Sequence, residues 1–126
     1  NLADNVKFFG SYKNHEEMLR EAKKAHIFVS ASTVEGFGIT VIEGMALGLP
    51  SIISDIKPFL EITKNGVGGE IFEQNNAADL AQKIKLQLTN KRSYQQKVKE
   101  EQQLVKDYDW GDIFSTYIQN ITGAVQ

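Results

Sequence analysis

Apolar residues fall into short runs along this chain, and longer stretches between the runs mix apolar with polar positions. The runs cover residues 6–9, 27–29, 51–54 and the end of a glycine-rich segment at 66–72. None of them alternates apolar with polar residues, and such runs are typical of strands that a parallel sheet buries on both faces. They predict about four strands, fewer than a complete doubly wound domain carries, so we expect a sheet that is truncated at its front.

The stretches between the runs carry apolar residues at helical spacing. They predict a short helical turn at residues 58–62 and helices at 16–25, 39–47, 76–88, 91–108 and 110–121. Gly48 and Pro50 end the helix that begins at residue 39, and Asn75 or Asn76 caps the helix that begins at residue 76. Strands separated by helices indicate an α/β fold, a Rossmann-like parallel sheet flanked by helices.

Composition narrows the class of protein. With 126 residues, 41% of them hydrophobic and 24% charged, the chain has the makeup of a single globular domain. It contains no cysteine, which excludes disulfides and thiolate metal sites. The two histidines, His15 and His26, have no acidic or histidine partner at metal-ligand spacing in the sequence, so we expect no metal. No window approaches ~18 consecutive apolar residues, so we expect no membrane span.

Charge gives no indication of a nucleic-acid partner. The net charge is −2, from 14 basic and 16 acidic residues, which lacks the basic footprint that nucleic-acid binding needs. Lysines accumulate between Lys83 and Lys106, where they are mixed with Glu and Gln. We interpret that stretch as a solvated helical face.

The candidate chemistry lies at residues 32–50, which combine a strand end, a turn with two glycines and a helix start. In an open parallel sheet this junction lies at the carboxyl edge of the strands, where ligands bind. Gly36 and Gly38 have no Cβ, so a ligand can approach the backbone closely. The first helical amides, near Gly38 to Thr40, have no intrahelical acceptors and suit a diphosphate.

Two carboxylates, Glu35 and Glu43, flank this junction eight residues apart. Because like charges repel, neither should face a phosphate, but both can accept hydrogen bonds from sugar or ribose hydroxyls. Simpler interpretations stay open for each part. The two glycines can form a plain turn, and Glu43 can be a favourable partner of the helix dipole.

The motif as a whole resembles a family signature. Residues 32–50 read S-x-x-E-G-F-G-I-x-x-x-E-x-M-A-x-G-x-P, which is similar to the signature of retaining GT-B glycosyltransferases of family four. Residues 6–10, 25–30 and 54–69 are similar to the flanking segments of the same family, and the helix at 110–121 also fits. Gly44 stands where the family more often has Ala, which is a change in packing.

The resemblance implies a role for each site residue. Glu35 would contact the hydroxyls of the donor sugar and act as the catalytic-site carboxylate, with an orienting role rather than a nucleophilic one. Glu43 would hold the ribose hydroxyls. The donor would lie beside the amides of Gly36, Phe37, Gly38 and Ile39, with Thr40 near the phosphate. No metal or other cofactor is implied.

The resemblance also implies a place for the chain in a larger enzyme. Residues 1–126 would be the back part of a nucleotide-sugar donor-binding domain, with C-terminal helices from about residue 91 onward. The Arg and Lys that neutralise the diphosphate, and the N-terminal domain that binds an acceptor glycan or lipid, would precede it, so we expect the isolated chain to be inactive. The parent would act in polysaccharide assembly in the cytoplasm, or peripherally at the inner membrane face.

Two alternatives remain at this stage. One is a sugar-nucleotide epimerase on the same scaffold, which would need a further acid/base set near the sugar. The other is a non-catalytic nucleotide-sugar-binding module.

Overall fold

This computed structural model describes residues 2–109 of the chain. The described part contains three parallel strands and five α-helices. The strands are β1 (Phe28–Ser30), β2 (Ser51–Ser54) and β3 (Glu70–Phe72). The helices are α1 (His15–Ala22), α2 (Ile39–Ala46), α3 (Lys57–Ile62), α4 (Ala77–Thr89) and α5 (Lys91–Val105). Two short 3-10 turns lie at Ala3–Asn5 and Lys106–Tyr108.

The sheet has the order β1-β2-β3, and both pairings are parallel. Val29 lies opposite Ile52, and Ile53 lies opposite Ile71. All four residues of the central strand β2 are buried. Burial on both faces explains why this strand is a continuous run without alternation, and the α/β prediction is confirmed.

The core lies where α2, α3 and α5 pack against this sheet. Gly48 and Pro50 separate α2 from β2 as predicted, with Gly48 at a φ of +75° just after the helix. The buried apolar cluster consists of Val41, Met45, Ile53, Ile56, Phe59, Ile62 and Leu104. Because α2 supplies Val41 and Met45 to it, the helix that follows the glycine turn is anchored in the core.

The strand predicted at residues 6–9 is wrong. In the described structure this segment belongs to no strand, and the sheet has three strands rather than four. Phe8 is 92% exposed, and Val6 and Phe9 are also exposed. An apolar run becomes a strand only when a neighbouring strand edge accepts its backbone hydrogen bonds, and the run at 6–9 pairs with no described strand.

The predicted helices recur with boundaries that differ by a few residues. Asn76, and not Asn75, caps α4, because its side chain accepts a 3.0 Å hydrogen bond from the Asp79 amide. Asn14 and Asn90 cap α1 and α5 in the same way. The helix predicted at 110–121 lies outside the described residues. None of the described helices is long and apolar enough to cross a membrane.

Helix α5 is not the uniformly solvated face that its sequence predicts. Glu101 is buried, and its Oε1 accepts a 2.7 Å hydrogen bond from the Ser51 amide at the start of β2. Lys97 is mostly buried, and its Nζ donates to the backbone oxygen of Gly66 at 2.8 Å. Burial raises the pKa of Glu101 to about 7, although the Ser51 amide and the Lys97 charge both oppose that rise.

Candidate functional site

The glycine turn and the start of α2 lie at the carboxyl edge of the sheet, immediately after β1. Gly38 is the N-cap residue of α2, with a φ of +99°. A Cβ at this position would lie 2.8 Å from Cε1 of Phe59 and 3.1 Å from Cδ1 of Ile62. Position 38 therefore requires glycine for two reasons, namely its left-handed backbone conformation and its close contact with α3.

No side chain of the described residues caps the first amides of α2. These amides, from Ile39 and Thr40, belong to the first turn of the helix, where donors have no intrahelical acceptor. The side chains of Ile39 and Thr40 are exposed. Gly38, the residue before them, is buried. The helix start is thus exposed from Ile39 onward, and its uncapped amides and dipole together favour an anion.

Gly36 differs from Gly38 in the space around it. It is exposed, and among residues 2–109 no atom lies within 4 Å of a Cβ built on it. The open space beside its backbone is what a ligand needs to approach the turn. Phe37, between the two glycines, is 46% exposed, and its ring packs edge-on against Tyr108 with centroids 6.1 Å apart.

The Glu35 carboxylate is held in place by serines that the sequence analysis did not select. Ser32 Oγ donates a 2.7 Å hydrogen bond to Oε1 of Glu35. Ser54, at the end of β2, donates a 2.6 Å hydrogen bond from its Oγ to the backbone oxygen of Ser32. The carboxylate is therefore tied to the ends of two neighbouring strands. Residues at the carboxyl ends of two adjacent parallel strands lie close together. Ser54 could have been selected on this ground, because it is the last residue of the strand beside β1.

Glu43 lies one helical turn into α2 and is partly exposed. His15, the first residue of α1, places its Nε2 at 2.8 Å from Oε1 of Glu43. The expectation that His15 has no partner at metal-ligand spacing concerned spacing along the sequence, and the fold supplies Glu43 as an acidic partner from another helix. Among residues 2–109, no group of three or more His, Cys, Asp or Glu residues is placed to hold a metal ion.

The structure therefore brings the seven predicted site residues together on one turn and one helix. Glu35 and Glu43 each have one oxygen in contact with a protein group, Ser32 and His15 respectively. Lys57 begins α3, and its side chain is 88% exposed with an ion-pair contact to Glu61 at 3.8 Å. This arrangement offers amides for an anion and carboxylates for hydroxyl groups.

Comparisons with known proteins show what this chain is similar to. The sequence profile of the family described as "Glycosyl transferases group 1" matches residues 1–104. A GDP-mannose:cellobiosyl-diphosphopolyprenol alpha-mannosyltransferase from Xanthomonas oryzae pv. oryzae is 32% identical over 98% of this chain and 33% of its own length. An N,N'-diacetylbacillosaminyl-diphospho-undecaprenol alpha-1,3-N-acetylgalactosaminyltransferase from Campylobacter jejuni is 30% identical over 90% of this chain and 30% of its own.

The fold also matches a solved structure. Sucrose-phosphate synthase from Thermosynechococcus elongatus superimposes with a TM-score of 0.82 and 25% identity, over 98% of this chain and 32% of that one. The predicted α/β fold of a GT-B glycosyltransferase is thereby confirmed. The chain spans about one third of the length of the relatives it matches.

Proposed function

Because this chain belongs to the Glycosyl transferases group 1 family, we propose that it is part of the donor-binding domain of a glycosyltransferase. The parent enzyme transfers a sugar from a nucleotide-diphosphate sugar to an acceptor, with retention of the anomeric configuration. The observation that carries the proposal is the uncapped start of α2, which follows a turn with open space at Gly36 and lies beside two carboxylates in contact with Ser32 and His15.

The diphosphate lies against the turn and the first amides of α2. During transfer the bond between the anomeric carbon and the diphosphate breaks, and negative charge grows on the leaving diphosphate. Backbone amides that already point at that charge stabilise it without reorganising. Gly36, Phe37, Gly38, Ile39 and Thr40 supply these groups, while basic side chains outside this chain neutralise the remaining charge.

The two carboxylates bind hydroxyl groups on either side of the diphosphate. Glu35 accepts hydrogen bonds from the donor sugar, and its contact with Ser32 Oγ fixes its direction. Glu43 accepts hydrogen bonds from the ribose. Since the carboxylate of Glu35 is already engaged by a serine, we assign it an orienting role and not that of a nucleophile.

The acceptor is a glycan or a lipid-linked glycan bound outside this chain. Two relatives carry diphosphopolyprenol or diphospho-undecaprenol acceptors in their names. We further propose that the parent acts in polysaccharide assembly, in the cytoplasm or as a peripheral protein at the inner membrane face. Co-sedimentation of the full-length parent with anionic vesicles would test the membrane part of this proposal.

Amide NMR spectra of the 126-residue chain test the donor site. UDP, GDP and ADP, each also as a glucose or mannose conjugate, are titrated to millimolar concentration, with inorganic phosphate as a control for charge alone. We expect selective shifts at residues 36–40 with a nucleotide and smaller ones with phosphate. Absence of shifts both in this chain and in the full-length parent would overturn the assignment of the donor site.

Retention needs a separate experiment on the full-length parent. The anomeric configuration of the product is compared with that of the donor by the coupling constant of the anomeric proton. A product of opposite configuration would overturn retention and leave the donor site intact.

A further inference from the structure

His15 and Glu43 meet although they lie far apart in the sequence. His15 is the first residue of α1, and Glu43 lies in the middle of α2. Nε2 of His15 lies 2.8 Å from Oε1 of Glu43. The side chain of His15 is 62% exposed and that of Glu43 is 23% exposed, so a ligand can reach the pair from solvent.

The two sides of this contact are held in different ways. Asn14 caps α1 through a 2.8 Å hydrogen bond that its Oδ1 accepts from the Glu16 amide, which sets the position of His15. On the other side, Val41 and Met45 anchor α2 in the core. Glu43 is therefore presented by a helix that is anchored in the core, and His15 by the capped start of a helix that has no buried residues.

The contact constrains a side chain that is otherwise free to rotate. A glutamate loses rotamer freedom when a ligand fixes it, and that loss weakens binding. A carboxylate has two oxygens, and each can accept more than one hydrogen bond. The side chain of Glu43 is 23% exposed, and with Oε1 in contact with His15 its Oε2 can still accept a bond from a hydroxyl group.

We propose that His15 is a positioning residue that orients the Glu43 carboxylate towards the ribose 2′-hydroxyl, and that the pair makes the site select ribonucleotides over 2′-deoxyribonucleotides. This inference rests on the proposed function, because it requires a nucleotide at the start of α2. Glu35 and Ser32 show the same arrangement on the sugar side of the site, with one carboxylate oxygen held by a protein group.

The test compares affinities for ribose and deoxyribose diphosphates that carry the same base. GDP and 2′-deoxy-GDP, and the corresponding uridine and adenosine pairs, are titrated into the full-length parent, and the signals of residues 36–40 are followed in the 126-residue chain. The variants are His15→Ala, His15→Gln, Glu43→Gln and the double variant His15→Ala/Glu43→Gln. His26→Gln is the matched control, because His26 is the other histidine and is exposed.

For the unmodified protein we expect a ribose preference of at least about fivefold, as one hydrogen bond to a charged group suggests. His15→Ala should lower that preference about threefold or more. His15→Gln should retain most of it, because the glutamine amide can also donate to the carboxylate. In the Glu43→Gln background, His15→Ala should have no further effect. His26→Gln should leave the preference unchanged.

Different results identify different failures. If Glu43→Gln abolishes the ribose preference and His15→Ala leaves it intact, the role of His15 is overturned and the donor site stands. If His15→Ala and His15→Gln reduce the preference equally, the effect is structural and the positioning role is overturned. If no nucleotide binds the unmodified full-length parent or shifts residues 36–40, the proposed function itself fails, and the inference fails with it.

Discussion

Glu101 on α5 accepts a 2.7 Å hydrogen bond from the backbone amide of Ser51, the first residue of the central strand. Both residues are buried, and among the described residues the second carboxylate oxygen of Glu101 has no hydrogen-bond partner. The contact joins the C-terminal half of α5 to the sheet end opposite the candidate site. A carboxylate in this environment is costly to ionise, because burial removes its hydration.

This relationship predicts a pH dependence of folding stability. Burial raises the pKa of Glu101 from 4.5 to about 7, so between these values the folded state binds more protons than the unfolded state. Stability contributed by this group is therefore complete below about pH 4.5 and is lost as the pH rises through 7. Compared with Glu101→Gln, the unmodified chain should lose on the order of 2–3 kcal/mol between pH 5 and pH 8.

Urea unfolding of both proteins at pH 5, 6, 7 and 8 measures this difference. The readout is its change with pH and not its absolute value, because Gln brings buried donors of its own. Glu17→Gln, at an exposed glutamate on α1, controls for the removal of one surface charge. A constant difference between Glu101→Gln and the unmodified chain across this range would contradict the prediction.

Much of the fold could be predicted because its signals are local. The continuous run at β2, the asparagine before α4 and the Gly48-Leu49-Pro50 stop after α2 each act on their own few residues. The glycine turn and both carboxylates of the candidate site were predictable for the same reason, since all of them lie within residues 35–43.

The remaining features depend on contacts between distant parts of the chain. Glu101 lies in a stretch of charged and amide residues, and only the packing of α5 against Ser51 buries it. Ser54, which supports the Ser32 that contacts Glu35, and His15, which contacts Glu43, both belong to other elements. The wrong strand at residues 6–9 has the same cause, because strand formation requires an available edge that apolar composition alone does not provide.

Gly44 and Phe28 form a close pair that gives a second prediction. A Cβ on Gly44 would lie 2.7 Å from Cγ of Phe28 and 3.1 Å from its Cβ. Gly44→Ala should therefore lower stability by about 1–3 kcal/mol, despite the better helix propensity of alanine. Combining it with Phe28→Leu should give less destabilisation than the sum of the two single changes, because leucine leaves room for the added methyl group.

Urea midpoints of the two single variants and the double variant test this coupling. A fully additive double variant, or a Gly44→Ala protein as stable as the unmodified chain, would show that the contact does not limit the choice of residue. Met45, which is completely buried on the same helix, must stay unchanged in all the variants compared, since it packs in the shared core.

The two glycines of the turn should respond differently to substitution. Gly38→Ala should destabilise the chain by about 1–3 kcal/mol, because it combines a φ of +99° with a close approach to Phe59. Gly36→Ala should change stability by about 0.5 kcal/mol or less, since its surroundings are open. If the open space admits a ligand, Gly36→Val should weaken nucleotide binding while the folding midpoint stays nearly constant.

Thermal unfolding and nucleotide titration of the Gly36 and Gly38 variants measure the two effects separately. If the Gly36 variants bind nucleotide with the same affinity as the unmodified protein, the ligand does not lie on that side of the turn. Gly38→Ala with unchanged stability would mean that α3 moves to accommodate the methyl group.

Glu35→Gln in the full-length parent separates an orienting group from a nucleophile. Gln keeps an oxygen that can accept from Ser32 Oγ, but it removes the negative charge that strengthens hydrogen bonds to sugar hydroxyls. We expect weaker donor binding together with a turnover reduced by about tenfold to a hundredfold. Ser32→Ala keeps the negative charge of Glu35 but removes the hydroxyl that contacts it. This variant should also weaken donor binding and turnover, but by less than Glu35→Gln. Complete loss of turnover with unchanged donor affinity would instead indicate that Glu35 forms or breaks bonds in the reaction, because only interactions made in the transition state change rate without changing binding.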